Sequence, residues 1–156
     1  QEHMVRHAIR CECARRGIDP AQSGTAIDAV VAEVGRFWAP PSADPLTPPP
    51  HSTGAAVDLT LADADGQTLG MGSEIDAIGA VSEPDFFAGR AAALPPGPDR
   101  DQALRWAGHR DALRQAMEAV GFAQHPNEWW HFSHGDQLWA WRLGHPSAHY
   151  GRWGTA

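Results

Sequence analysis

Apolar positions recur at helical spacing in three stretches of the chain and alternate in others, and this pattern alone divides it into elements. Met4, Ala8 and Cys11 repeat with Gly17 as a stop, which predicts a helix over Met4 to Arg16 with its polar residues facing water. Ile27, Val30, Val31, Val34 and Trp38 follow the i, i+3, i+4, i+7, i+11 rule of one buried face, predicting a second helix over Ser23 to Trp38. A third is predicted over Asp99 to Val120, with Leu113, Met117 and Val120 on one face and Gly121 at the stop. Val57, Leu59 and Leu61 alternate with Asp58, Thr60 and Ala62. Asp63-Ala64-Asp65-Gly66 then carries turn chemistry before Gln67 to Met71, so a hairpin is predicted there. Short strands are expected at Phe122 to Gln124, Trp129 to Ser133 and Leu138 to Leu143.

Two stretches lack a sustained period. Six of the twelve residues from Ala39 to Pro50 are proline, which excludes a helix or central strand and predicts a stiff extended run into His51. Residues 72 to 98 are rich in Gly, Ala and Pro and read as a long irregular excursion of the kind that often covers a site. The expected fold is α+β: a small, mainly antiparallel sheet with helices packed on one side, in one domain over residues 1–156. A chain of 156 residues with 42% hydrophobic residues can bury one core and not two.

Charge narrows the function. Twelve basic against 19 acidic residues leave a formal net charge of −7, which repels nucleic acid and anionic membrane surfaces. Every basic residue is Arg, so chemistry built on a Schiff-base lysine or a phosphate-binding lysine is excluded. Cys11 and Cys13 form a lone C-x-C pair, too few for a four-thiolate site or a disulfide framework, and they read as ordinary helix residues. No apolar run reaches the roughly 20 residues of a membrane span and no segment resembles a signal peptide. A cytoplasmic protein is expected, with the periplasm as the alternative. The start at Gln1, directly in a helical pattern, suggests that an N-terminal portion lies upstream.

Two stretches carry chemistry. His51-Ser52-Thr53-Gly54-Ala55-Ala56-Val57-Asp58 and Asn127-Glu128-Trp129-Trp130-His131-Phe132 together hold two imidazoles and two carboxylates. A hydrolytic zinc site takes three protein ligands from His and Asp or Glu and keeps a fourth position for water. His51, Asp58 and His131 supply the three. Glu128, three residues from His131, supplies the carboxylate that accepts the water proton, provided the segment bends so that both side chains reach the metal. Taken singly, a histidine or aspartate near a loop is an ordinary surface residue, and nine histidines make chance pairings easy. The joint pattern, with Gly54 permitting a tight turn and Ala56 close packing, favours zinc. Trp129 and Trp130 read as packing residues, and His125, His134, His145 and His149 as solvated.

The motif H-x-x-G-x-A-x-D, followed some seventy residues later by E-W-W-H, resembles the zinc D-Ala-D-Ala dipeptidases of the VanX type. The likeness extends to Met71-Gly72-Ser73-Glu74-Ile75-Asp76, similar to that family's M-G-[ST]-x-[FI]-D segment, and covers roughly residues 1 to 133. The resemblance implies one zinc ion on His51, Asp58 and His131, Glu128 as catalytic base, and Asp76 as the group that binds the amino end of a small dipeptide substrate. Two departures stand out. Pro49 occupies the place of a serine that precedes the first histidine in the family, and no Y-R-P segment, whose arginine steadies the oxyanion, precedes the first helix. Two rivals remain: a D,D-carboxypeptidase or cell-wall endopeptidase of the same superfamily, and a non-catalytic zinc module, against which the presence of Glu128 speaks.

Overall fold

A computed structural model describes residues 2–21, 23–36, 42, 44 and 46–154. Among the described residues there are five α-helices and one three-stranded antiparallel sheet, the α+β arrangement expected. In order they are α1 (Glu2–Arg16), α2 (Thr25–Val34), β1 (Ala56–Asp58), α3 (Phe86–Ala93), α4 (Pro98–Ala119), β2 (Ala123–Gln124), β3 (His131–Ser133) and α5 (Gln137–Leu143), with single 3-10 turns at Pro50–Thr53 and Ala80–Ser82.

The helical periodicities locate α1, α2 and α4, with changes in which residues are buried. In α1 the inward residues include Ala8, Glu12 and Cys13, flanked by Val5 and Ile9, while Cys11 is exposed. Not all polar residues of α1 face water: Glu12 is buried and bonded to Arg15 and Arg16 one turn on, which compensates its carboxylate. In α2, Val30 and Val34 are buried and Val31 is exposed; Trp38 lies outside the described residues. Val120 ends α4 and is exposed, the chain turning at Gly121 with φ 89°. The proline-rich run is described only in part.

Two expectations fail. Leu138 to Leu143 is helical, not a strand, because Asp136 caps the helix by accepting the Trp139 amide at 2.8 Å and Gly144 closes it at a left-handed φ of 71°. Nor is the stretch from 72 to 98 irregular throughout. It contains α3, whose alanines favour helix and whose Phe87 and Ala91 pack on Ala103 of α4. The hairpin is present at its tip, where Ala62 bridges Thr68, Leu69 N–H donates to the Leu61 carbonyl and Asp63 N–H to that of Gln67, while β1 pairs with β3.

The sheet order is β1-β3-β2. Across β1 and β3, Ala56 faces Ser133, Val57 faces Phe132 and Asp58 faces His131. Beneath the sheet, Met71, Leu113, Trp129, Trp130 and Phe132 form the main apolar cluster, so α4 is the floor on which the site-bearing segments rest. Smaller clusters join α1 to α2, α3 to α4, and β2 to α5.

Candidate active site

Local conformation brings the separated residues together. His51 sits on the 3-10 turn Pro50–Thr53, which Gly54 ends in the left-handed region at φ 73°, turning the chain into β1. That conformation is costly for a residue with a Cβ, which is the use of Gly54 here. His134 N–H donates to the Ala55 carbonyl and Leu59 N–H to that of Trp130, which leaves Asp58 and His131 as a directly opposed, non-hydrogen-bonded pair. Such pairs bring their side chains closest. His131 Nδ1 accordingly lies 3.1 Å from Asp58 Oδ1, and His51 Nε2 3.3 Å from Asp58 Oδ2. The two imidazoles meet edge to face with ring centres 4.6 Å apart. One ligand atom from each of the three residues lies within 4.8 Å of the other two.

The bend that Glu128 needs is built at Trp129 and Trp130. Trp129 N–H donates to the Ser82 carbonyl at 2.9 Å, Gln124 Nε2 holds the Trp129 carbonyl at 2.9 Å, and His125 N–H binds the His131 carbonyl at 2.9 Å. Glu128 and His131 therefore lie on the same side, with Glu128 Oε2 3.6 Å from His131 Nδ1. Both tryptophans are buried in the main cluster, in keeping with a packing role.

Electrostatics follows from crowding. Burial, joined by the negative charges of Asp58 and Asp76, pushes the Glu128 carboxyl up to about 8. Burial works against ionisation of Asp58 as well, but hydrogen bonds from His131 and His51 outweigh it and hold that carboxyl well below its usual range. The bond to Asp58 raises His51. Asp76 is raised by desolvation and by Asp58, and it adopts φ 64°, the one non-glycine residue with positive φ among the described residues. Such strain clusters at functional sites.

The family with which these residues agree is found over nearly the whole chain: residues 1–149 match the family described as D-ala-D-ala dipeptidase. The chain belongs to this dipeptidase family. Over 165 aligned residues it is 42% identical to a D-alanyl-D-alanine dipeptidase of Synechocystis, covering 97% of this chain and 64% of that relative. Proteins of the same name from Streptomyces coelicolor and Escherichia coli are 36% and 34% identical over 53% of this chain, covering 35% and 36% of their own lengths. The chain thus spans less than two thirds of the curated relatives it matches. No solved structure matches it. The dipeptidase family is metal-dependent, and the His51, Asp58 and His131 group could hold a metal ion. Among the described residues no helix is long and apolar enough to cross a membrane.

Several residues around this site differ from what the sequence predicts. His125 is not solvated: it is half-buried, its ring centre 5.4 Å from that of His131 and its Nδ1 3.8 Å from Glu128 Oε2. Burial, then the neighbouring His131 and Arg142, lowers it to about 4, so it is neutral at pH 7. Its Nδ1 accepts from the Asn127 amide, which places the proton on Nε2. His134 is half-buried against Phe122 and Trp139 rather than solvated, whereas His145 and His149 are exposed as expected, His145 stacking on Trp139 at 4.1 Å. Arg110 is 2% exposed on the inner face of α4, and its position three residues before Leu113 and seven before Met117 was the signal that it points inward.

Proposed function

We propose that this chain carries a zinc-dependent D-Ala-D-Ala dipeptidase centre, with zinc on His51, Asp58 and His131, Glu128 as general base and acid, and Asp76 as receptor for the substrate ammonium. We also read residues 1–156 as a single peptidase domain. The observation that carries this reading is the convergence of two imidazole nitrogens and a carboxylate within 4.8 Å of one another beside a fourth, buried carboxyl group. The donor set fits zinc. Imidazole nitrogen and carboxylate oxygen are among zinc's usual donors, and His131 Nδ1 lies 3.1 Å from Asp58 Oδ1 while His51 Nε2 lies 3.3 Å from Asp58 Oδ2. Ser133 Oγ lies 3.4 Å from His131 Nε2, placed to orient the ring nitrogen that faces away from Asp58.

When bound, zinc lowers the pKa of a water to about 7 and polarises a carbonyl. The chain's residues handle the protons and the substrate. Glu128 Oε2 accepts the proton of the attacking water and returns it to the leaving amine, so the carboxyl ends as it began and the peptide C–N bond is replaced by a C–O bond. Its buried setting keeps it from bulk solvent and raises its carboxyl in the metal-free chain, and a bound dication beside it would favour the carboxylate that accepts the proton. Asp76, near enough to Asp58 and His51 to feel their charges, offers a carboxylate to a free ammonium group.

Glu128→Gln should retain one zinc per chain and lose D-Ala-D-Ala hydrolysis by about 10²- to 10⁴-fold, the usual contribution of a positioned acid-base. Metal analysis beside a D-alanine release assay reads both, and undiminished turnover would remove Glu128 from the mechanism. Preference for a muramyl pentapeptide over the free dipeptide would instead indicate a carboxypeptidase, and zinc binding without hydrolysis a non-catalytic module.

A further inference from the structure

Arg110 presents a physical puzzle. A guanidinium in the interior costs several kcal/mol unless its donors are satisfied, and its neighbours on the inner stripe of α4 are Ala103 and Leu113. Its partners are three carbonyl oxygens, one hydroxyl and two ring faces. Nε donates to the Met71 carbonyl at 2.8 Å, Nη1 to that of Glu83 at 2.8 Å, and Nη2 to that of Val81 at 2.9 Å and to Ser73 Oγ at 3.2 Å. The guanidinium lies between the rings of Phe87 and Trp129, at 4.7 and 5.2 Å from their centres. Burial lowers it only to about 10, so it is charged at neutral pH.

All four hydrogen-bond partners belong to the single segment 71–83, and they come from both of its ends. One planar group thus closes this segment into a loop, with Asp76 between its two apolar anchors: Ile75 packs on the main cluster and Ile78 on the α1–α2 cluster. The neighbouring turn of α4 holds the same strand of chain, His109 Nδ1 lying 2.8 Å from the Gly70 carbonyl. The loop also reaches the catalytic segment. Trp129 Nε1 donates to the same Ser73 Oγ at 2.9 Å, and the Trp129 amide binds the Ser82 carbonyl at 2.9 Å. Gly72, Asp76 and Gly79 all have positive φ, at 86°, 64° and 111°. A left-handed non-glycine residue persists only where its surroundings over-determine it, and the guanidinium supplies that restraint.

We propose that Arg110 is a positioning residue that fixes the 71–83 loop against the Glu128–His131 segment, and thereby holds Asp76 where it selects substrates with a free ammonium group. This rests on the reading of Asp76 as the ammonium receptor. Lysine cannot replace it, since one ammonium cannot present a fork to carbonyls at both ends of the loop.

Binding measured in a Glu128→Gln background tests the idea without turnover. The zinc-loaded protein is titrated with D-Ala-D-Ala and with N-acetyl-D-Ala-D-Ala, and the ratio of the two Kd values is the readout. The background should favour the free amine by about tenfold to a hundredfold, the range for a hydrogen bond to a charged group, and Asp76→Asn should erase that preference. Arg110→Lys should keep one zinc and lower the preference by about tenfold, with the acetylated ligand unaffected. Should Arg110→Lys not fold, Ser73→Ala decides, with an expected loss in the ratio of about threefold for one neutral hydrogen bond. A folded Arg110→Lys or Ser73→Ala protein with the parental ratio, or with both ligands weakened equally, overturns the positioning role. An unchanged ratio in Asp76→Asn overturns instead the ammonium reading on which it rests.

Discussion

Glu128 is the residue whose protonation most directly couples the site to stability. Its carboxyl, ordinarily near 4.5, is pushed up to about 8 by burial and by Asp58 and Asp76. Between those values the folded chain holds a proton that the unfolded chain has released. Its contribution is therefore fully present below pH 4.5 and is lost as pH rises through 8. His125 has the opposite sign: lowered to about 4 from 6.5, it adds stability as pH rises over that interval and is silent above it. His51, raised by its bond to Asp58, contributes below 6.5 and loses that contribution as pH rises through its raised value. Above pH 6.5, then, Glu128 and His51 both favour the protonated fold. Thermal melts of chelator-treated protein should show Tm falling from pH 6.5 to 8.5, and Glu128→Gln should flatten that fall. Equal slopes in the two proteins would show that Glu128 titrates normally. The convergence of His51, Asp58 and His131 was legible because metal ligation demands particular side chains at particular offsets. Arg110 was not, because a buried arginine announces only that it points inward, and its partners are backbone carbonyls 27 to 39 positions away.

The elements divide according to how local their causes are. α4 was readable because its apolar stripe, Pro98 at the start and Gly121 at the stop are all present in the run itself. α5 was misread because Leu138 to Leu143 is apolar and short, and its helical state is decided by a cap on either side. α3 was missed because Gly and Pro around it obscured an alanine-rich segment of good helix formers. The alternating run from Val57 divides: its start lies in β1, which pairs with β3, where Phe132 brings a fully buried side chain, and its end pairs across the following turn, as expected, at Leu61 to Asp63. The loop after Met71 illustrates how tightly the elements meet. Gly72 is in the left-handed region and a Cβ there would overlap the Phe87 ring of α3. Gly72→Ala should destabilise the protein by more than about 1 kcal/mol, since strain and overlap add. That corresponds to a drop in Tm of at least about 2–4 °C for a chain of this size. A melt unchanged from the parent would mean that α3 yields to the intrusion.

At the scale of the molecule, the proposed metal joins parts that otherwise touch through short elements. His51 comes from a 3-10 turn, Asp58 from an edge strand and His131 from the central strand. A ligand that binds only the folded state stabilises it by mass action, by about 2.7 kcal/mol at a hundredfold excess over Kd. Zinc should therefore raise Tm in a concentration-dependent way, and His131→Ala or Asp58→Ala should abolish the rise along with stoichiometric zinc. Undiminished zinc in both variants would eliminate the triad as the site. The α1–α2 pair has its own apolar cluster and supplies none of the three ligands, so this stabilisation would act first on the sheet and the turn before it.

The facing of Asp58 and His131 across the sheet also has a kinetic side. These proposed ligands are separated by 73 positions, and every residue of α3 and α4 lies between them. The intervening chain must be drawn closed before both can reach one ion, and that closure carries an entropy cost that no local segment can meet in advance. An unfolded chain would therefore offer the metal scattered single donors, and high affinity would emerge only after the long-range pairing of β1 with β3 has formed. At the proposed metal site, capture would then be a late event on the folding path, and the rate at which apoprotein gains its ion during refolding would be set by the chain rather than by the ion.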